Sequence, residues 1–184
     1  MELDVCIKGR RSVRSYTDEP VSRETIEAVL EAGSWAPTAM SREPCRFIVI
    51  ENKELIKFVS DETKVLVKPM FPSFARQFSS EADLICYNAP VLILVCAEKD
   101  QQRAGWNLVD SVLAAENMFL KACDLGLGTC YMGFVSFLNS KPDVLKKIGV
   151  PENYDMLVPF VLGHPKTKQG KGNRKKPNIL NWIK

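Results

Sequence analysis

Apolar positions along the chain follow two periods. In SRETIEAVLEAGSWA, residues 22–36, Ile26, Val29, Leu30 and Gly33 recur at helical spacing behind Ser22. Serine is a favoured N-cap, so the stretch predicts an amphipathic helix ending near Trp35. Three runs of strand length, CRFIVIEN (45–52), APVLILVCAE (89–98) and YDMLVPFVLG (154–163), are apolar, β-rich and followed by polar residues or turns. They predict buried strands. From Trp106 to Leu125 the chain has no proline and carries apolar or small residues at Val109, Val112, Leu113, Ala115, Phe119, Ala122 and Cys123. This predicts the longest helix, packed in the core, with Gly126 and Gly128 as its terminators.

TCYM (129–132) resumes as a short strand, and NSKPDVLKKIG (139–149) as a further helix. Helices around a small sheet make an α+β or α/β domain. Residues 64–83, KVLVKPMFPSFARQFSSEAD, mix prolines, phenylalanines and charges without a period, and no element is assigned there. The chain ends in KTKQGKGNRKKPNILNWIK (166–184), basic and poor in apolar residues until Ile179, which reads as an extended tail after a single domain over 1–165.

Composition narrows the class. With 184 residues, 46% of them apolar, the chain can build one real core. A formal net charge of only +3 puts no global demand on it for nucleic acid or an acidic membrane. The N-terminal stretch has no basic and apolar leader pattern, and no window approaches the ~18 unbroken apolar residues of a membrane span, so a cytoplasmic location is expected. Six cysteines form no C-x-x-C pair, which argues against a zinc or iron–sulfur site and for buried thiols in a reducing compartment. With His164 the only histidine, a His-based triad or multi-His metal site cannot be built from this chain alone.

Three stretches are candidates for chemistry. GRRSVRSYTDEP (9–20) places Arg10, Arg11, Ser12 and Arg14 within five positions. Guanidinium forks bind phosphate bidentately and a serine hydroxyl adds a short donor, so the cluster is either an oxyanion clamp or a solvated basic loop. Arg10 and Ser12 face one way only if the segment is extended. AGSWAPTAMSREPCRFIVI (32–50) brings Pro37 and small residues between a helix and a strand, suited to a backbone that approaches something flat, or simply a connecting loop. LGLGTCYMGF (125–134) is not a G-x-G-x-x-G loop, since no strand precedes it, but its Gly133 lets a ligand touch backbone.

These stretches occur in a fixed order: R-R-S-x-R near the N-terminus, A-P-T before a strand, G-L-G-T after a long alanine-rich helix, LGHP closing the last strand and a late basic segment. In that combination the chain resembles the nitroreductase family of FMN-dependent oxidoreductases over nearly its whole length, least well over 59–88. The resemblance implies an α+β sandwich, a small antiparallel sheet flanked by helices, and an intertwined homodimer with two FMN sites at its interface. By the same resemblance, Arg10 and Ser12 bind the FMN phosphate, Arg14 lies near flavin N1 and O2 with Arg11 nearby, and Pro37, Thr38, Ala39, Met40 and Ser41 contact the flavin across the dimer interface. Tyr131, Met132 and Gly133 line the ring, the Gly133 N–H being a candidate donor to N5. Arg174, helped by Lys171 or Lys175, completes the phosphate site from the 166–184 extension.

The implied reaction is ping-pong, with NADH or NADPH reducing FMN and an electron-poor small molecule, a nitroaromatic or quinone, taking the electrons. The flavin does the chemistry, so no protein side chain is expected to be catalytic, and neither a metal, a nucleic acid nor a membrane is an expected partner. The sequence departs from the family pattern at Ser41, Glu43 and Cys45, where Asn, Gln and Trp are common. Those departures leave room for another flavin chemistry, such as reductive dehalogenation. A nucleic-acid module using the basic tail is disfavoured by the low net charge and the lack of aromatic interleaving.

Overall fold

The computed structural model describes residues 1–79, 82–170 and 172–184. In chain order the regular elements are α1 (Leu3–Gly9), α2 (Arg23–Ser34), β1 (Arg46–Ile50), α3 (Lys53–Val67), α4 (Ala75–Phe78), β2 (Val91–Glu98), α5 (Ala104–Asp124), β3 (Gly128–Tyr131), α6 (Pro142–Lys147) and β4 (Tyr154–Gly163). Turns of 3₁₀ helix lie at Ala39–Ser41, Pro72–Phe74 and Gly133–Ser140. The four strands form one antiparallel sheet in the order β1-β2-β4-β3. The expected α+β class, a small antiparallel sheet between helices, is the observed one.

The sheet divides two cores because successive side chains along β2 point to opposite faces. Leu92, Leu94 and Cys96 pack with Ile56 and Val59 of α3 and with Val144 and Leu145 of α6. Val91, Ile93 and Val95 pack with Ile26 and Val29 of α2 and with Ala115, Met118 and Phe119 of α5. A register shift between Val95 and Cys96 leaves Leu157 of β4 without an opposite residue, so Met156 and Val158, two apart, face different cores. Phe160, fully buried, meets Phe119 edge to face at 4.9 Å. Such pairs add about 1 kcal/mol beyond area burial.

Several expectations change. α2 is capped by the Ser22 hydroxyl, which accepts from the Thr25 N–H, and buries Ile26, Val29 and Gly33 as predicted. β1 is an edge strand and only half-buried, since one side of its backbone has no neighbouring strand. α3 fills residues given no element, capped by Asn52 and burying Ile56, Val59, Ser60, Thr63 and Val67. Beyond it, the unassigned stretch makes a 3₁₀ turn and the short α4. Its Phe71, Phe74 and Phe78 rings cluster on Phe134 with centroids 5.1 to 6.1 Å away.

The longest helix is where expected and buries Ala115, Phe119 and Ala122 as predicted, but its first half presents a different face. α5 buries Asn107, Asp110, Ser111, Ala114, Ala115, Met118, Phe119 and Ala122, while Val109, Val112 and Leu113, read as core, are 57%, 50% and 41% exposed. A helix has one face per 3.6-residue turn, and here the polar trio at i, i+3 and i+4 holds the inward one.

Gly126 ends α5 at φ +77°, with the Leu127 N–H bonded to the Ala122 carbonyl and the Gly126 N–H to that of Cys123. That is a Schellman termination, which needs a left-handed residue. Gly128 is not a second terminator. It opens β3, where a Cβ would stand 2.5 Å from Val13 Cγ2. Gly126→Ala is expected to cost about 1–2 kcal/mol, the penalty of a side chain in the left-handed region, and to lower the thermal midpoint accordingly. An unchanged melting curve would contradict the assignment of Gly126 as the stop.

Among the described residues no helix is long and apolar enough to cross a membrane. The described residues of the tail from Lys166 onward form no helix or strand, and Leu180, Trp182 and Ile183 are exposed.

Candidate functional site

The arginine cluster is extended, the conformation its spacing requires for Arg10 and Ser12 to share a side. Ser12 bridges Thr129 in parallel fashion and the Val13 N–H donates to the Thr129 carbonyl at 2.9 Å, so the segment runs beside β3. Val13 is buried, and its close fit over Gly128 locks the segment in place. Further on, the Tyr16 hydroxyl donates to the Val13 carbonyl and the Thr17 N–H to the His164 carbonyl. His164 thus serves the N-terminal segment through its backbone.

Each arginine has a different environment. Arg10 lies over the Phe119 ring and its Nε is 3.3 Å from Glu116 Oε1. The ion contact lacks hydrogen-bond geometry, so this buried Nε has no hydrogen-bond partner. Arg11 donates to the carbonyls of Lys8, Arg10 and Gly170, which ties the start of the tail to α1. Arg14 is exposed, with one long hydrogen bond of 3.4 Å to the Ser12 carbonyl.

Arg14 stands at a cavity of about 320 Å³ whose wall also includes Cys130, Tyr131, Met132 and Gly133. The N-terminal motif and the segment after α5, far apart in sequence, therefore meet. Leu84, Ile85, Tyr87 and Phe137 complete most of the wall, and sequence reasoning named none of them. They come from residues just past the stretch with no clear period and from the 3₁₀ turn, where no pattern distinguishes a cavity wall from ordinary loop. Burial pushes the Cys130 thiol above its ordinary value, with Arg14 opposing, so this cysteine is a packed thiol rather than a thiolate.

The 37–45 loop lies elsewhere on the chain and is fastened to α5. The Asp110 carboxylate accepts the Ala39 N–H at 3.1 Å and lies 3.8 Å from the Arg42 guanidinium. Arg42 donates to the Ala39 carbonyl and to Asn107 Oδ1, and the Glu43 N–H donates to the Thr38 hydroxyl. Met40, Ser41 and Glu43 all adopt positive φ, at 57°, 52° and 49°. Non-glycine residues rarely do so. Met40 is 79% exposed at the apex, Pro37 and Ser41 are exposed, and Thr38 and Ala39 half-buried. Cys45 is half-buried with its Sγ 3.7 Å from the Ser111 hydroxyl.

Within one chain, then, Arg14 and residues 131–133 share a cavity that Pro37 to Ser41 do not line. Arg174 and Lys175 are exposed in the tail, and Lys171 lies outside the described residues. Asp110 and Asn107, which fix the loop, were not singled out from sequence. The signal was there: polar residues at 107, 110 and 111 continue the spacing of Ala114, Ala115 and Met118. Among the described residues no group of His, Cys, Asp and Glu is placed to hold a metal ion.

Known proteins share this arrangement. The nitroreductase of Bacteroides fragilis, solved with bound FMN, is 30% identical and superposes with a TM-score of 0.87 over the full length of both chains. A protein of Archaeoglobus fulgidus provisionally named an NADH dehydrogenase/NAD(P)H nitroreductase is 29% identical over 91% of this chain and 89% of its own. The FMN reductase [NAD(P)H] of Bacillus subtilis is 27% identical over 98% of this chain and 72% of its own. The model of the nitroreductase family matches residues 7–164, which include the arginine cluster, the 37–45 loop, the cavity wall and the last strand. The chain belongs to the nitroreductase family.

Proposed function

We propose that the chain is an FMN-dependent NAD(P)H oxidoreductase that works as a homodimer and reduces nitroaromatics, quinones or similar electron-poor acceptors by a ping-pong reaction. The observation that carries this reading is the cavity in which Arg14 meets Cys130 to Gly133. It has the lining a flavin ring needs: mostly apolar walls, a cation at the mouth and glycine backbone within reach. The buried Nε of Arg10, near Glu116 but without a hydrogen-bond partner among the described residues, adds a donor suited to an anionic group. The residues present fit FMN.

In this reading Arg10 and Ser12 hold the phosphate, with Arg174 and Lys175 reaching it from the tail, and Tyr131, Met132 and Gly133 support the ring. Arg11, spent on three backbone carbonyls, holds the tail start rather than the cofactor directly. Bound FMN supplies two-electron chemistry, accepting hydride from the nicotinamide and passing electrons to the acceptor. The protein binds, orients and excludes water. Arg14 places positive charge where reduction builds negative charge, and the Gly133 N–H is free of a helical partner as the first residue of its 3₁₀ turn.

The dimer is supported by what one chain leaves uncovered. Val5 and Ile7 of α1 and Trp106, Val109, Val112 and Leu113 of α5 are 41% to 57% exposed, and the tail adds Leu180 at 96%. An apolar surface of this extent marks an interaction face. In a two-fold dimer each residue of such a face is used twice, and the Met40 loop, rigidly fastened to the same α5, is carried to the partner's cavity.

The test is the visible absorption spectrum of the purified protein with and without FMN, then with anaerobic NADH or NADPH. Flavin bands near ~450 nm that bleach on adding nicotinamide are expected. Flavin that binds without bleaching would point to a different flavin chemistry, and no binding at all would overturn the reading.

A further inference from the structure

Arg14 has too few tethers for the role given to it. It is exposed and its one hydrogen bond to backbone is 3.4 Å long. A guanidinium on a long flexible side chain loses rotamer entropy when it is held in one place. Something in the cavity wall has to restrain it.

The neighbouring wall is unusually well fixed. Asp83 Oδ1 accepts the N–H groups of Ile85 and Cys86 at 3.1 and 2.8 Å and the Ser60 hydroxyl of α3 at 2.6 Å, while its Oδ2 accepts the Asn88 N–H at 3.0 Å. One carboxylate thus organises four donors from two parts of the chain. The turn it holds carries Tyr87 and Asn88 at φ 55° and 52°, a strained pair that persists only where its surroundings determine it. Cys86 and Ala89, fully or nearly buried, anchor the turn from below. The turn delivers the half-buried Tyr87 to the same cavity wall as Arg14.

Resting on the FMN reading above, we propose that Tyr87, set by the Asp83 turn, is a positioning residue that holds the Arg14 guanidinium toward the cavity and thereby raises the preference of the site for reduced over oxidised flavin. Burial pushes the Tyr87 phenol above its ordinary pKa, and the positive charge of Arg14 opposes the shift. The phenol is therefore neutral at neutral pH. In the proposed arrangement its oxygen accepts from Arg14, across the cavity wall the two share, and leaves the guanidinium charge undivided by a competing anion. A carboxylate in the same place would neutralise the cation.

The proposal is tested by the flavin midpoint potential in a double-mutant cycle of Tyr87→Phe and Arg14→Ala, with the melting temperature of each variant measured alongside. Tyr87→Phe keeps the ring and the turn. It is expected to weaken the preference for reduced flavin by about fivefold to tenfold, or about 20–30 mV for a two-electron couple, with the melting temperature unchanged. In the Arg14→Ala background the same substitution is expected to change nothing, because the two act as one unit. A Tyr87→Phe potential equal to that of the wild type overturns the proposal, as does a full shift persisting without Arg14. If Arg14→Ala moves the potential and Tyr87→Phe does not, the FMN reading stands and only the role of Tyr87 falls. If the wild-type protein binds no FMN, both fall.

Discussion

Asp110→Ala lowers the stability of the folded chain by about 2–4 kcal/mol, the cost of removing one partner from buried, charge-assisted contacts. The carboxylate is almost wholly buried in α5 and receives the Ala39 N–H and the Arg42 guanidinium. Its removal leaves the half-buried Ala39 N–H without its acceptor and takes the counter-charge from Arg42, which keeps its bonds to the Ala39 carbonyl and Asn107. It also releases a loop whose Met40, Ser41 and Glu43 are held at positive φ. For a chain of this size the midpoint of thermal unfolding falls on the order of 10 °C. Asp110→Asn keeps an acceptor for Ala39 but gives Arg42 no charge, so it falls between the two. Thermal denaturation of the three proteins checks the ranking. An alanine variant that melts with the wild type would mean that the loop is held by something else.

Arg10→Gln weakens FMN binding about 10- to 150-fold. A hydrogen bond to a charged group is worth about 1.5–3 kcal/mol, and each 1.4 kcal/mol is about tenfold in affinity. The Nε without a hydrogen-bond partner is the reason to expect the upper part of that range, since a phosphate oxygen would satisfy it while Glu116 does not. Titrating the protein with FMN and with riboflavin, which lacks the phosphate, separates this from a general loss of the site. Riboflavin affinity should be nearly equal in the two proteins. Equal FMN affinity would instead leave Arg10 with Glu116 and Phe119 as its only role.

Legibility from sequence followed the kind of interaction that places each residue. α2 and the strands were readable because their inward faces are apolar and burial alone fixes them, as with Ile26 and Val29 or the run from Val91 to Ala97. α3 was not, because Ser60 and Thr63 interrupt its stripe; Thr63 donates back to the Val59 carbonyl and Ser60 to Asp83, so neither costs an unsatisfied group. The first half of α5 was read on the wrong face for the same reason, Val109, Val112 and Leu113 being exposed, whereas Ala115, Phe119 and Ala122 further along are buried as expected. In the site, Arg14 and residues 131–133 belong to contiguous motifs and could be named in advance. Asn107 and Asp110 left only the spacing they share with Ala114, Ala115 and Met118, and Asp83 and Tyr87 left no pattern, since their partners are backbone groups and side chains brought near only by the folded chain.

The two faces of α5 have a consequence for how this protein can vary. Residues 107, 110, 111, 114 and 118 are committed to the chain's own interior, whereas about half of each of 109, 112 and 113 faces outward. Substitutions along the first row alter whether the chain folds. Along the second row they alter what the folded chain offers to another surface, one helical step away. For the homodimer proposed above, one helix thus carries two separable sets of positions, one bearing on the fold of each chain and the other on what its surface meets.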